Sequence, residues 1–188
     1  MNRRLRRLLA VAAAGAALPL VACTATRSSN VVVVPGKLVP RGAKVFVLAV
    51  ADAQQRRKGA AAGSGLAVGV GLRDALFAQG FPPLLGDTSE LETGLTEASH
   101  LGYDYLVRSS MVQWEDNATQ WNMNPDIATL SVALYDVSRR ELVATSTHTV
   151  EGSPGDYRAR TTDRFIPELV DHCLGTLFSW TPTVVTGR

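Results

Sequence analysis

The sequence predicts a single α/β domain built on a mixed five-stranded sheet with helices on both faces. Three observations lead there. Lys44-Val-Phe-Val-Leu-Ala-Val50 is a continuous apolar run, as a strand buried on both faces requires. Two helix-period segments follow, each leading into a further strand, and such β-α-β crossovers imply parallel pairing. Three more extended segments come next with no helical period between them, as antiparallel hairpins require.

In chain order, Arg3, Arg4, Arg6 and Arg7 precede an apolar run from Leu8 to Leu20, and Leu20-Val21-Ala22-Cys23 closes it. A charged start, a short apolar stretch and small residues before a cut make a secretory signal. A cysteine directly after the cut resembles a bacterial lipobox, which implies acylation of Cys23 and a membrane-held mature chain. Thr24, where enteric-type bacteria tend to use aspartate for inner-membrane retention, points by analogy to the outer membrane, facing the periplasm. Residues 1–22 are then the signal peptide, 23–43 the lipidated cysteine and a tether, 44–180 the domain and 181–188 a loose tail. The apolar stretch is shorter than the ~18–20 residues a membrane span requires.

Processing reverses the charge. Four of the 19 Lys+Arg lie in residues 1–22 and none of the 17 Asp+Glu do, leaving 15 against 17 and a net −2. The precursor's formal +2 is therefore no sign of nucleic-acid binding. With Cys23 acylated, Cys173 has no disulfide partner; it lies among Leu169, Leu174 and Leu177 and reads as a buried thiol.

Thr24 to Asn30 is small and polar, suited to a leash. Val31 to Val34 interrupts it and could form an added edge strand, which would have to be paired or packed. After the first strand, Asp52 to Lys58 is a polar, basic loop. Ser64 is a candidate N-cap for a helix over Leu66 to Gln79, ended by Gly80. Phe81 to Leu85 is the second strand. Thr88 is a candidate cap for a helix carrying Leu91, Leu95 and Ala98 and ending near Gly102. Tyr103 to Trp114, Asp126 to Val137 and Glu141 to Glu151 are strands three to five. From Thr162, Phe165, Leu169, Cys173, Leu177 and Trp180 mark the core stripe of a last helix. Counting these five strands in chain order, the simplest sheet is 2-1-3-4-5. The first two helices then lie on opposite faces and the last packs beside the first.

Little of this carries known chemistry. Gly63-Ser64-Gly65-Leu66-Ala67-Val68-Gly69 sits where a dinucleotide fingerprint would, but Val68 occupies the third glycine position and no acidic residue ends the second strand. No cofactor is expected. The glycines read instead as letting the helix approach the sheet. His100, His148 and His172 are scattered without ligand spacing, so no metal is expected. Glu115 and Asp116 are neighbours and diverge on a strand, which is poor geometry for a hydrolase pair.

Two stretches could bind. Trp114 and Trp121 flank a polar hairpin tip, and tryptophan packs on something, either the domain's own body or a partner. Trp114, Glu115, Asp116 and Trp121 are therefore candidate partner contacts. The other stretch is the switch point beside the carboxyl ends of strands one and three, where α/β sheets bind ligands. There Asp52, Arg56, Arg57, Lys58 and Ser64 could receive an anionic group.

Trp114-Glu115-Asp116, Ala118-Thr119, Trp121, Pro125-Asp126 and Tyr135-Asp136-Val137 resemble a family of small bacterial lipoproteins, domain of unknown function 4823. The element order is more distantly similar to domains of the curli secretion lipoprotein, of the lipoproteins that activate peptidoglycan synthases, and of the TolB N-terminal region. Those distant relatives are binding and assembly modules, and the resemblance adds location and fold class but no mechanism. It supplies no catalytic residues. The lipobox, the missing catalytic constellation and the tryptophan-flanked hairpin point to an envelope protein or a peptidoglycan-associated partner, with a homo-oligomer as a further possibility.

Overall fold

A computed structural model describes residues 26–33, 39–55, 59–117, 124–153 and 162–181. The strands are β1 (Thr26–Val33), β2 (Val45–Val47), β3 (Gln54–Gln55), β4 (Gly59–Ala60), β5 (Pro83–Leu85), β6 (Tyr105–Glu115), β7 (Ile127–Asp136) and β8 (Glu141–Glu151). The helices are α1 (Ser64–Ala78), α2 (Leu91–His100) and α3 (Ile166–Phe178), the last entered through a 3-10 turn at Thr162–Phe165. The main sheet runs β1-β8-β7-β6-β2-β5, and β3-β4 form a small separate ribbon.

The inner five strands, β5-β2-β6-β7-β8, are the expected order. β2 is parallel to both neighbours and the pairs from β6 onward are antiparallel. The correction is at the start. Thr26–Val33 is not a leash but a sixth strand, paired antiparallel to β8 from Thr26↔Glu151 to Val33↔Ala144. The valine run is only its end, and the polar Thr26–Asn30 belongs to it because a ladder needs backbone rather than apolar side chains.

Val45, Phe46 and Val47 are all fully buried, as their apolar run requires. Val45 and Val47 join a large core beneath α1 and α3; Phe46 joins a smaller one beneath α2 with Leu48, Leu95 and Leu106. Leu169, Cys173 and Leu174 on α3 are fully buried, worth roughly 2 kcal/mol for each leucine. α3 lies beside α1: a Cβ on Gly71 would stand 3.3 Å from Ile166 and 3.5 Å from Val170.

Two helix starts differ from expectation. Ser64 is the first residue of α1 rather than its cap; Gly63, at φ 82°, holds that position. Glu90 precedes α2, and Thr88 acts two residues earlier by accepting from the Glu90 N–H through Oγ1 (3.1 Å). The α1 glycines do allow close approach. A Cβ on Gly65 would overlap the Val50 carbonyl oxygen and stand 2.8 Å from the Ala51 carbonyl carbon. Backbone cannot swing aside as a side-chain tip can. Gly65→Ala is therefore expected to cost about 3 kcal/mol, the upper end for overpacking. Gly71→Ala, which meets only side-chain methyls, should cost clearly less. Paired thermal melts of the two variants check the order.

Candidate functional site

The parallel strand β2 and the long strand β6 end on the same side of the sheet, and the residues beyond them frame a crevice of about 180 Å³. Gln55, Ser64, Trp114, Asp116, Thr162 and Asp163 line it. The loop after β2 and the β6–β7 connection thus meet at the switch point, as the sheet order requires. The volume corresponds to roughly six waters and falls below the ~300 Å³ at which small-molecule pockets begin.

Asp52 and Ser64 come together here, but each is already engaged. Asp52 accepts from the Gly65 N–H through Oδ1 (2.8 Å) and from the Gly63 N–H through Oδ2 (3.1 Å). It supplies the helix cap that no adjacent side chain provides. Ser64, 3% exposed, accepts from the Ala53 N–H through Oγ (2.9 Å). These bonds fold the loop onto α1, so both residues hold the crevice wall rather than reach for a ligand. Arg56, Arg57 and Lys58 lie outside the described residues. The described lining carries two carboxylates, Asp116 and Asp163, and no basic side chain.

Trp114 is corrected from partner contact to core: it is 3% exposed and packs in the large core. The cause is a β-bulge. The β6–β7 register shifts between Met111 and Gln113, leaving Val112 extra and 64% exposed. Val107 and Met111 face the α1–α3 side, so strict alternation would put Gln113 there next; the bulge turns Trp114 inward instead. Asp116 lines the crevice, while Glu115, the preceding residue, ends β6 and accepts from Thr162 Oγ1 through its carbonyl (3.4 Å). Trp121 lies outside the described residues.

Asp126 closes the base of this connection, a role the sequence reading missed. It is 1% exposed, pairs with Arg164 (Oδ2–Nη1 3.2 Å) and accepts from the Asn117 N–H through Oδ1 (2.9 Å). Its carbonyl accepts from the Gly152 N–H (2.8 Å), and the Arg164 guanidinium lies over the Phe165 ring at 4.5 Å. A buried charge left unpaired costs several kcal/mol, so these partners act as one unit.

A second polar cluster lies where β1 meets α3. The Ser29 hydroxyl stands 2.6 Å from His148 Nδ1 and 2.9 Å from His172 Nε2, and the two imidazoles stack at 3.9 Å. Glu168 on α3 pairs with Arg27 in a two-bond contact, its Oε2 accepting from Nη2 at 3.1 Å, and its Oε1 is 3.8 Å from His148 Nε2. That last distance is too long for a hydrogen bond. The hydroxyl is shared between two rings and the carboxylate is committed to an arginine, so this is not a nucleophile–base–orienter chain. It is a latch holding β1. The histidines had no local spacing to reveal it; helix packing brings them together.

His148 is 2% exposed. Burial above all, and the neighbouring His172, hold its imidazole below the usual histidine value, while Glu168 pulls weakly the other way. Cys173, fully buried, has its thiol pushed up to about 12 by burial. Among the described residues no group of three His, Cys, Asp or Glu is placed to hold a metal ion.

No protein-family model matches the chain, and no curated protein is significantly similar to it. Solved structures are. A PelC dodecamer from Paraburkholderia phytofirmans matches with a TM-score of 0.62 at 18% identity, over 82% of this chain and 97% of that one. XCC0632 from Xanthomonas campestris, described under DUF330, matches at 0.52 and 14%, over 74% and 87%. Lipoprotein GNA1162 from Neisseria meningitidis matches at 0.50 and 10%, over 73% and 99%. At these identities the shared property is the fold. Resemblance to domain of unknown function 4823 rests on the residues quoted above alone.

Two outcomes follow from this geometry. Trp114→Ala should cost about 3–5 kcal/mol, the usual range for a core tryptophan, read as a lowered melting temperature. For His148 the sign is fixed by its depressed folded value. Its contribution is present above the unfolded histidine value of about 6.5 and is lost as pH falls through the folded one. Melting temperature should therefore drop between pH 7.5 and pH 5.5, and drop less in His148→Gln.

Proposed function

We propose that the mature chain is a non-enzymatic envelope lipoprotein. In this reading it is acylated at Cys23, held on the periplasmic side of the outer membrane, and works as a binding or assembly module. The observation that carries the proposal is Leu20-Val21-Ala22-Cys23 at the end of a charged and then apolar leader. The fold it shares with a solved Neisseria lipoprotein and with PelC chains that form dodecamers supports the reading. The partner is an envelope protein or a further copy of the chain, met at the sheet end that carries the β6–β7 connection. With Trp114 in the core, the contacts assigned to the partner are Glu115, Asp116 and Trp121.

Two measurements test it. Metabolic labelling with an alkyne fatty acid should mark the wild type, and Cys23→Ser should lose both the label and the membrane fraction. A photoreactive residue at Gln120 in intact cells should then give one discrete envelope adduct, or a self-adduct if copies assemble. Trp121→Ala should cut adduct yield several-fold without lowering the melting temperature. A folded, lipidated protein with no adduct would end the idea that this connection is the contact.

A further inference from the structure

The distance from Cys23 to the first described residue is short, and the sheet register says which end of the domain that residue occupies. Thr26 lies three residues after Cys23, so a trans chain places the two Cα atoms at most about 11 Å apart, whatever its path. Thr26 pairs with Glu151, Glu151 with Ile127, and Ile127 with Glu115. One end of the sheet therefore carries the start of β1, the end of β6 and the start of β7. Asn117, Asp126 and the crevice beside Trp114 sit there too. The opposite end carries Asp136, Arg139 and Glu141, across the length of β6, an 11-residue strand of about 33 Å.

Resting on the proposed acylation of Cys23, we infer that the crevice end of the sheet faces the phospholipid headgroup layer, so that a partner met at the β6–β7 connection is met at the membrane surface. The geometry leaves no inverted alternative while β1 stays docked. Turning the Arg139 end to the membrane would raise Thr26 by the length of β6, roughly three times the reach of the chain to Cys23. Docking of β1 is what converts an attached chain into an oriented one. It is secured by an eight-residue ladder on β8, by Arg27 to Glu168, and by Ser29 between His148 and His172. Leu66, two residues after Ser64 in the crevice wall, is 67% exposed and offers an apolar contact at the same end.

The test uses the full-length lipidated protein in phosphatidylethanolamine–phosphatidylglycerol vesicles that carry a headgroup nitroxide. A fluorophore is placed at Thr26→Cys, Asn117→Cys or Arg139→Cys. Cys173 is fully buried, so the new thiol takes the label. Quenching should be strong at 26, strong at 117 and at least three-fold weaker at 139. Strong quenching at 26 with equal quenching at 117 and 139, or with 139 the stronger, overturns the orientation and leaves the anchor standing. An unacylated Cys23 in the mass spectrum of the N-terminal peptide, with no quenching at 26, overturns the lipoprotein reading and this inference with it.

Discussion

Burial of β2 on both faces is the constraint from which the rest of the fold follows. Three residues, Val45 to Val47, have no solvent-facing side. Helices must therefore cover both surfaces, which forces crossover connections, and those run parallel and right-handed. With β5 and β6 parallel to it on either side, β2 also becomes the point where the chain's direction of winding reverses. The crevice is a by-product of that reversal. Its position follows from topology, and its small volume follows from how tightly α1 is drawn in.

That tightness is a backbone property. Gly65 lets α1 close onto the carbonyl of Val50, and Asp52 meets the freed N–H groups of Gly63 and Gly65. Ser64 returns the favour to Ala53. A ligand site built from these polar groups would need them free; here they satisfy one another and make the wall stiff. The same economy holds at the base of the β6–β7 connection, where Asp126 joins Arg164, Asn117 and Gly152. Both walls of the crevice are thus fixed by polar bonds within the chain.

The inner sheet was legible because its signals are local. A two-sided apolar run, two helical stripes and the strands Asp126 to Val137 and Glu141 to Glu151 each announce themselves within a dozen residues, and β8 matches its expected bounds. β1 was legible only at its valines, since Thr26 to Asn30 pairs through backbone and its side chains stay exposed. The bulge at Val112 has no composition of its own, yet it decides that Trp114 enters the core. Asp126 and the Ser29–His148–His172 latch were invisible for a different reason. Each is assembled from residues nine or more positions apart, and one-dimensional spacing carries no trace of such meetings.

The length of β1, which reaches back to Thr26, changes what the leader means. As a 20-residue leash, residues 24–43 would let the domain tumble as far as about 70 Å from its lipid, and any surface could face any partner. With β1 paired to β8, two residues separate Cys23 from the sheet, so under the proposed acylation attachment and orientation become one property. The latch residues then matter out of proportion to their number. Arg27 and Glu168 are partly exposed, so their pair alone is worth little in water. Ser29 ties β1 to a histidine that is 2% exposed and held below its ordinary value by burial. β1 and β2 share no strand edge, since β8, β7 and β6 stand between them, so the docking of β1 and the packing of the parallel strands rest on separate contacts.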